Sequence, residues 1–330
     1  MYELKDWRKA MSKKFDNRIL LIVFIVLAGI LVVSKLIRSK RADRTFKAEL
    51  VLVDTSRVTK IRLYPRSENQ EEIFFSRSGN EWSVKKGDII SDAGKGSVEN
   101  LLSEIIRIKP QRLAANNNEK WEEFHVTDSL ATRIKIEEDG KETLDLMIGR
   151  FSYKQQNNPY AAYGRGNISG ITYVRLAGEK EVYAIDGFLS MTINMGFNHW
   201  RNQMVIRTNK SDLTKLTFGY PADSSFVVFK RDTVWVVDQE LADSAKMEQY
   251  LNTLSYRNST FFIDDYSSNV NPDYVLTVEG NNMSPIVIQA FRKAENEFII
   301  NSSLNPQSFF KSEKSDLFSE IFIGKKKLFI

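Results

Sequence analysis

The sequence predicts an α+β fold: one N-terminal transmembrane helix plus a duplicated antiparallel-sheet-and-helix domain outside the membrane. Three observations carry this expectation. One unbroken apolar run lies near the N-terminus. The rest of the chain alternates in short β-branched and aromatic stretches separated by turn signals. One ordered set of motifs also occurs twice.

The apolar run is Ile19 to Val33, reading ILLIVFIVLAGILVV, and Leu36 and Ile37 extend it past Ser34 and Lys35. As a helix over 19–37 it would span roughly 28 Å, the thickness of a bilayer core. A buried core helix would need apolar neighbours on every face, and no small-x-small cleavage site follows, the chain continuing SKLIRSKRADR. An uncleaved signal anchor is therefore expected. Lys/Arg are balanced across it, six in 1–18 and six in 34–48, so the positive-inside rule leaves orientation open. The short N-terminal tail favours a cytoplasmic N-terminus, with 38–330 exported to the periplasm and the chain held in the inner membrane. Residues 1–18 would form a cationic cytoplasmic tail and 38–48 a basic juxtamembrane linker. Trp7 and Phe15 in the tail, with Lys35, Arg38, Lys40 and Arg41 after the run, are the expected contacts with the lipid bilayer.

Two repeats follow, expected at 49–207 and 208–330. Ser56–Pro65 reads SRVTKIRLYP and Ser211–Pro221 reads SDLTKLTFGYP. Alternating strands EEIFFSR and SFVVFKR come next, then tryptophan strands around Trp82 and Trp235. Segments opening at Asp92 and Asp243 follow with helical apolar spacing: Val98, Leu101, Leu102, Ile105 and Ile108 in one, Met247, Tyr250, Leu251 and Leu254 in the other. The aspartates suit helix N-termini. In the second halves TRIKIEE parallels YVLTVEG, TLDLMIGR parallels SPIVIQAF, and ITYVRLAG parallels NEFIINSS. Short helical stretches are expected at 186–201 and 305–323. Each copy thus reads β-β-β-α-β-β-β-α, with hairpin turns at Arg77–Asn80, Asp139-Gly140 and Gly280-Asn281, and with Trp82 and Trp235 in the cores.

Composition narrows the chemistry. The 330 residues contain no cysteine and two histidines, which removes thiolate metal sites, cysteine nucleophiles and lipoprotein attachment. The net charge of +5 is concentrated around the apolar run, leaving 49–330 mildly acidic, so no nucleic-acid partner is expected. His125 lies in WEEFHVTD and His199 in GFNHWRN, neither in a helical metal-binding pair. No Gly-x-Ser-x-Gly elbow occurs. Gly164–Gly170 lacks the Gly-Lys-Ser/Thr ending of a phosphate loop and sits between strands, so no nucleotide, cofactor or metal is expected and the chain reads as a non-enzyme.

The order Val58-Thr-Lys-Ile61, Trp82-Ser-Val84, an Asp92-led helix, Tyr173-Val-Arg-Leu176 and Trp200-Arg-Asn-Gln203 resembles a family of single-span bacterial envelope proteins. That family carries a domain of unknown function and is often encoded beside gliding-motility-type ABC transporters in Bacteroidota. The resemblance implies a place in the envelope near a transporter and brings no catalytic residues. It also makes Ser129, Thr233 and Ser244, each after an aspartate, candidate O-glycosylation acceptors.

One feature stands outside the repeat: the segment Tyr153–Gly170, expected as a hairpin loop and long for one. With Phe151 before it, it places Phe151, Tyr153, Tyr160, Tyr163 and Arg165 together, the residue types that partner contacts favour. The resulting expectation is an accessory or scaffold subunit of an envelope complex, with ABC transporter subunits as partners. The alternative is a glycan- or peptidoglycan-binding module using exposed aromatics in a crevice between repeats. A third reading is a hydrolase built on the histidines.

Overall fold

The computed structural model describes residues 21–30, 47–155, 168–267, 269–313 and 316–329. Residues 21–30 form a helix, α1, about 15 Å long at 1.5 Å per residue. No helix among the described residues is long and apolar enough to cross a membrane. That overturns the transmembrane helix expected over 19–37. Residues 19, 20 and 31–37 of that expectation lie outside the described residues. The architecture is instead dominated by antiparallel sheets. Trp7, Phe15, Lys35, Arg38, Lys40 and Arg41 lie outside the described residues.

The first half runs β1 (Val58–Tyr64), β2 (Ile73–Ser78), β3 (Glu81–Lys86), β4 (Ile89–Asp92), α2 (Ser97–Ile106), β5 (Pro110–Ala115), β6 (Thr132–Glu138), β7 (Lys141–Gln155), β8 (Ile168–Leu176), β9 (Val182–Asp186), α3 (Leu189–Ile193) and α4 (Phe197–Trp200). The second runs β10 (Met204–Arg207), β11 (Leu213–Gly219), β12 (Phe226–Arg231), β13 (Val234–Val237), β14 (Glu240–Leu241), α5 (Ser244–Ser255), β15 (Tyr256–Asn258), β16 (Tyr274–Gly280), β17 (Ile286–Ala294), β18 (Glu297–Ser302), β19 (Asn305–Lys311) and α6 (Leu317–Ile321).

The first sheet has the order β4-β3-β2-β1-β6-β7-β8-β9-β5 and the second β14-β13-β12-β11-β16-β17-β18-β19. These are one topology twice. Where β5 flanks β9, a single bridge from Phe262 to Phe310 flanks β19. Each half holds more strands than the eight-element reading expects. β4 and β14 are short hairpin returns, and 305–311, expected as part of a helical stretch, is β19. β4 and β14 are fixed by hairpin pairing with β3 and β13, and β19 by pairing with β18 and by burial of Asn305, Ser308 and Phe310.

The Thr-Lys motif shared by the halves has a structural cause. β1 slips register against β6 between Val58 and Lys60, and β11 slips against β16 between Leu213 and Lys215. Such a bulge lets Val58 and Ile61, and likewise Leu213 and Leu216, both face inward although three apart. The threonine hydroxyls donate to Glu137 O and Glu279 O, each at 3.4 Å. The lysines pair with the same glutamates, at 3.4 and 2.9 Å.

Helix α2 buries Val98, Leu101, Leu102 and Ile105, and α5 buries Met247, Tyr250, Leu251 and Leu254. Asp243 caps α5 by accepting from Lys246 N at 2.8 Å. Asp92 differs from the expectation: α2 starts at Ser97 behind Gly96, with no side-chain cap. Asp92 instead offers its carbonyl to Asn202 N at 2.8 Å.

Two cores result. One gathers residues from Leu50 to Trp200, including the buried Trp82, and the other from Val205 to Leu328, with Trp235 packed at its edge. The second core takes in Val205 and Ile206 of β10, so it begins just before the 207/208 boundary read from the repeats. A smaller cluster around Phe124, Val126, Met147 and Tyr173 covers the other face of the first sheet. Arg175 pins it, 2% exposed. Its Nε and Nη2 donate to Val126 O at 3.1 and 2.9 Å, Nη1 reaches Ala177 O and Glu179 O, and Trp121 lies 3.7 Å from the guanidinium.

Candidate functional site: a projecting ribbon and a polar junction

Tyr153 does not begin a loop. β7 and β8 stay paired through Tyr153↔Gly170 and Gln155↔Ile168. The β6–β7 register ends at Ile148, opposite Thr132, and the β8–β9 register reaches no further than Ile171, opposite Asp186. Residues 151–155 and 168–170 therefore leave the sheet as a two-stranded ribbon. The irregularity between Ile148 and Phe151 marks the exit. There Gly149 lies so close to the Phe124 carbonyl that an added Cβ would sit 2.1 Å from its oxygen.

Apolar side chains collect at the ribbon base. Phe151 packs edge-on against Phe188 at 6.0 Å. The Phe188 ring lies over Gly170, where a Cβ would come within 2.8 Å of three ring carbons. Phe151, Phe188 and Met191 are exposed, and Tyr153 is 71% exposed. Tyr160, Tyr163 and Arg165 lie outside the described residues. Phe188 and Met191 were not singled out in the sequence; the Phe- and Met-bearing stretch FLSMTINMGF was the available signal.

The second feature is the junction of the halves, built by Trp200-Arg-Asn-Gln203. Its backbone pairs with the end of β4: Gly94 N donates to Trp200 O and Asn202 N to Asp92 O, both at 2.8 Å. Trp200 is buried in the first core, edge-on to Phe75 at 5.6 Å. Arg201, 3% exposed, reaches the second half. Its Nη2 and Nη1 meet the two Asp264 oxygens at 2.8 and 3.1 Å, and Phe262 lies 3.7 Å from its guanidinium.

Clefts of about 750 and 440 Å³ border this junction. Glu68, Glu71, Lys86, Asp88 and Asp264 line the larger one. Glu68 accepts from Phe197 N at 2.8 Å and pairs with Lys86. Burial raises the Glu68 carboxyl, but Lys86 and that amide outweigh it and hold the group below its usual range. Trp82 and Trp200 are buried, and Trp121 lies against Arg175. The glycan-binding alternative calls for exposed aromatic side chains grouped in such a cleft; the smaller cleft is lined by Tyr256, 51% exposed, and by the buried Trp200.

The histidines are apart in role as well as sequence. His125, at φ 55°, has Nδ1 3.3 Å from Arg66 Nη1. Burial first, then Arg66 and Arg150, push its pKa down. His199 packs edge-on against Trp200 at 5.0 Å, and burial pushes its pKa down. Among the described residues no group of three or more His, Asp or Glu is placed to hold a metal ion. Ser129, Thr233 and Ser244 are all exposed.

Ribbon and junction both fall within one matched segment. The profile of the family described as a domain of unknown function (DUF4340) matches residues 89–276, from β4 into β16, and the chain belongs to that family. No curated protein and no solved structure matches the chain.

Proposed function

We propose that this protein is a non-enzymatic accessory or scaffold subunit of a cell-envelope complex, docking a partner through the β7–β8 ribbon. The observation that carries the reading is the exposed cluster of Phe151, Tyr153, Phe188 and Met191 where the ribbon leaves the sheet. Exposed aromatic and methionine side chains grouped on a projecting element are what interface centres use. The transporter neighbourhood implied by the family resemblance makes an ABC transporter subunit the partner to seek. The experiment places a photo-crosslinking residue at Tyr153 in the full chain, in native cells, and identifies adducts by mass spectrometry. A single partner at fixed ratio, lost in a Phe151→Ser/Phe188→Ser variant that still folds, is the expected result. A monodisperse protein giving no adduct would sink the proposal.

A further inference from the structure

We infer that residues 196–203 are a polar clasp that sets the angle between two independently cored lobes, with the Arg201–Asp264 pair as its catch. The two principal cores share no residue: one ends at Trp200 and the other starts at Val205. The connecting segment is anchored in the first core by Phe197 and Trp200 and is tied to the second lobe mainly by polar contacts. On the first lobe it is held as an extra strand, by the Gly94–Trp200 and Asp92–Asn202 backbone bonds and by Glu68 on Phe197 N. On the second lobe Arg201 takes Asp264, the Asn305 amide donates to Asn202 O, and Ser259 N donates to Gln203 O at 2.9 Å.

The catch is asymmetric. The Arg201 side chain is 3% exposed and that of Asp264 32%. Apart from Asp264, the guanidinium has Asn198 Oδ1 at 3.2 Å and the rings of Phe262 and Phe197 at 3.7 and 5.2 Å, while its buried Nε has no hydrogen-bond partner. A buried cation that loses its carboxylate is strongly disfavoured, so the segment must move to hydrate it. Phe197 and Trp200 stay anchored in the first core, so the movement falls on residues 201–203, which lie between the principal cores. Both clefts border the clasp and would change shape with it.

The chain lacks cysteine, so Ser129→Cys and Thr233→Cys, one exposed site on each lobe, can carry spin labels without interference. In the full-length chain the parent should give one narrow distance distribution, and Asp264→Asn a clearly broader one. Amide exchange at Gly94 and Asn202 should quicken about tenfold in the variant, while β6 and β16 keep their protection. An unchanged distance distribution with unchanged exchange at Gly94 and Asn202 would overturn the inference. So would simultaneous loss of protection in both lobes, since the pair would then belong to one cooperative core.

Discussion

Arg175 and Asp243 show how much one side chain decides. Arg175 satisfies the carbonyls of Val126, Ala177 and Glu179 from inside the protein. Arg175→Met should remove roughly 2–4 kcal/mol, because those acceptors are left unpaired; urea unfolding measures it. Asp243→Ala should lose about 1 kcal/mol with the cap. Asp92→Ala, whose side chain caps nothing, should stay within about 0.5 kcal/mol in the same assay. The histidines set an acid limit. Both have folded pKa values depressed below the ordinary 6.5, so the folded state favours the neutral ring. Their contribution is full above pH 6.5 and is lost as pH falls through the depressed values. The urea midpoint should therefore drop on acidification below that point, and the slope should flatten in a His125→Asn/His199→Gln variant. Asparagine tolerates the positive φ at 125. An unchanged slope would show that other groups carry the acid sensitivity.

Among elements, β7 does the most. Its first half is a buried sheet strand and its second half leaves the sheet as one side of the ribbon. The change occurs at Gly149, pressed against the Phe124 carbonyl, while Arg150 N donates to that same oxygen at 3.0 Å. Gly149→Ala should lower stability by about 2–3 kcal/mol through overpacking and speed exchange of the Arg150 amide. Retention of that amide's protection would mean that the 124–126 segment shifts without strain. The bulges of β1 and β11 make the opposite point: a local irregularity, repeated at the Thr-Lys step of both halves, is part of the topology.

For the whole molecule, two sheets of one strand order enclose separate principal cores. Cooperativity is then expected within a lobe more strongly than between lobes. Phe310 is fully buried in the second core. Phe310→Ala should destabilise that lobe by about 3–5 kcal/mol. Hydrogen exchange should rise across β11, β16 and β18 and leave β1 and β6 near parental rates. A uniform rise in both lobes would show that they unfold as one unit.

Repeated motifs, alternating strands and the apolar faces of α2 and α5 were legible in the sequence because burial imposes periods of two and 3.6 on the residues facing a core. The apolar run and its flanking charges were equally plain; the described part of that run is the helix 21–30, and no helix among the described residues is long and apolar enough to cross a membrane. The short β4 and β14 were beyond reading because a few residues hold no period, and β5 because its burial does not alternate. The ribbon's aromatics were visible at Phe151 and Tyr153. The packing of Phe151 on Phe188 depends on Gly170 lying under the Phe188 ring. Trp200-Arg-Asn-Gln203 could be seen as a motif. Only the tertiary structure brings Asp264, sixty-three residues onward, to the buried Arg201, because such contacts follow from chain folding and leave no local pattern.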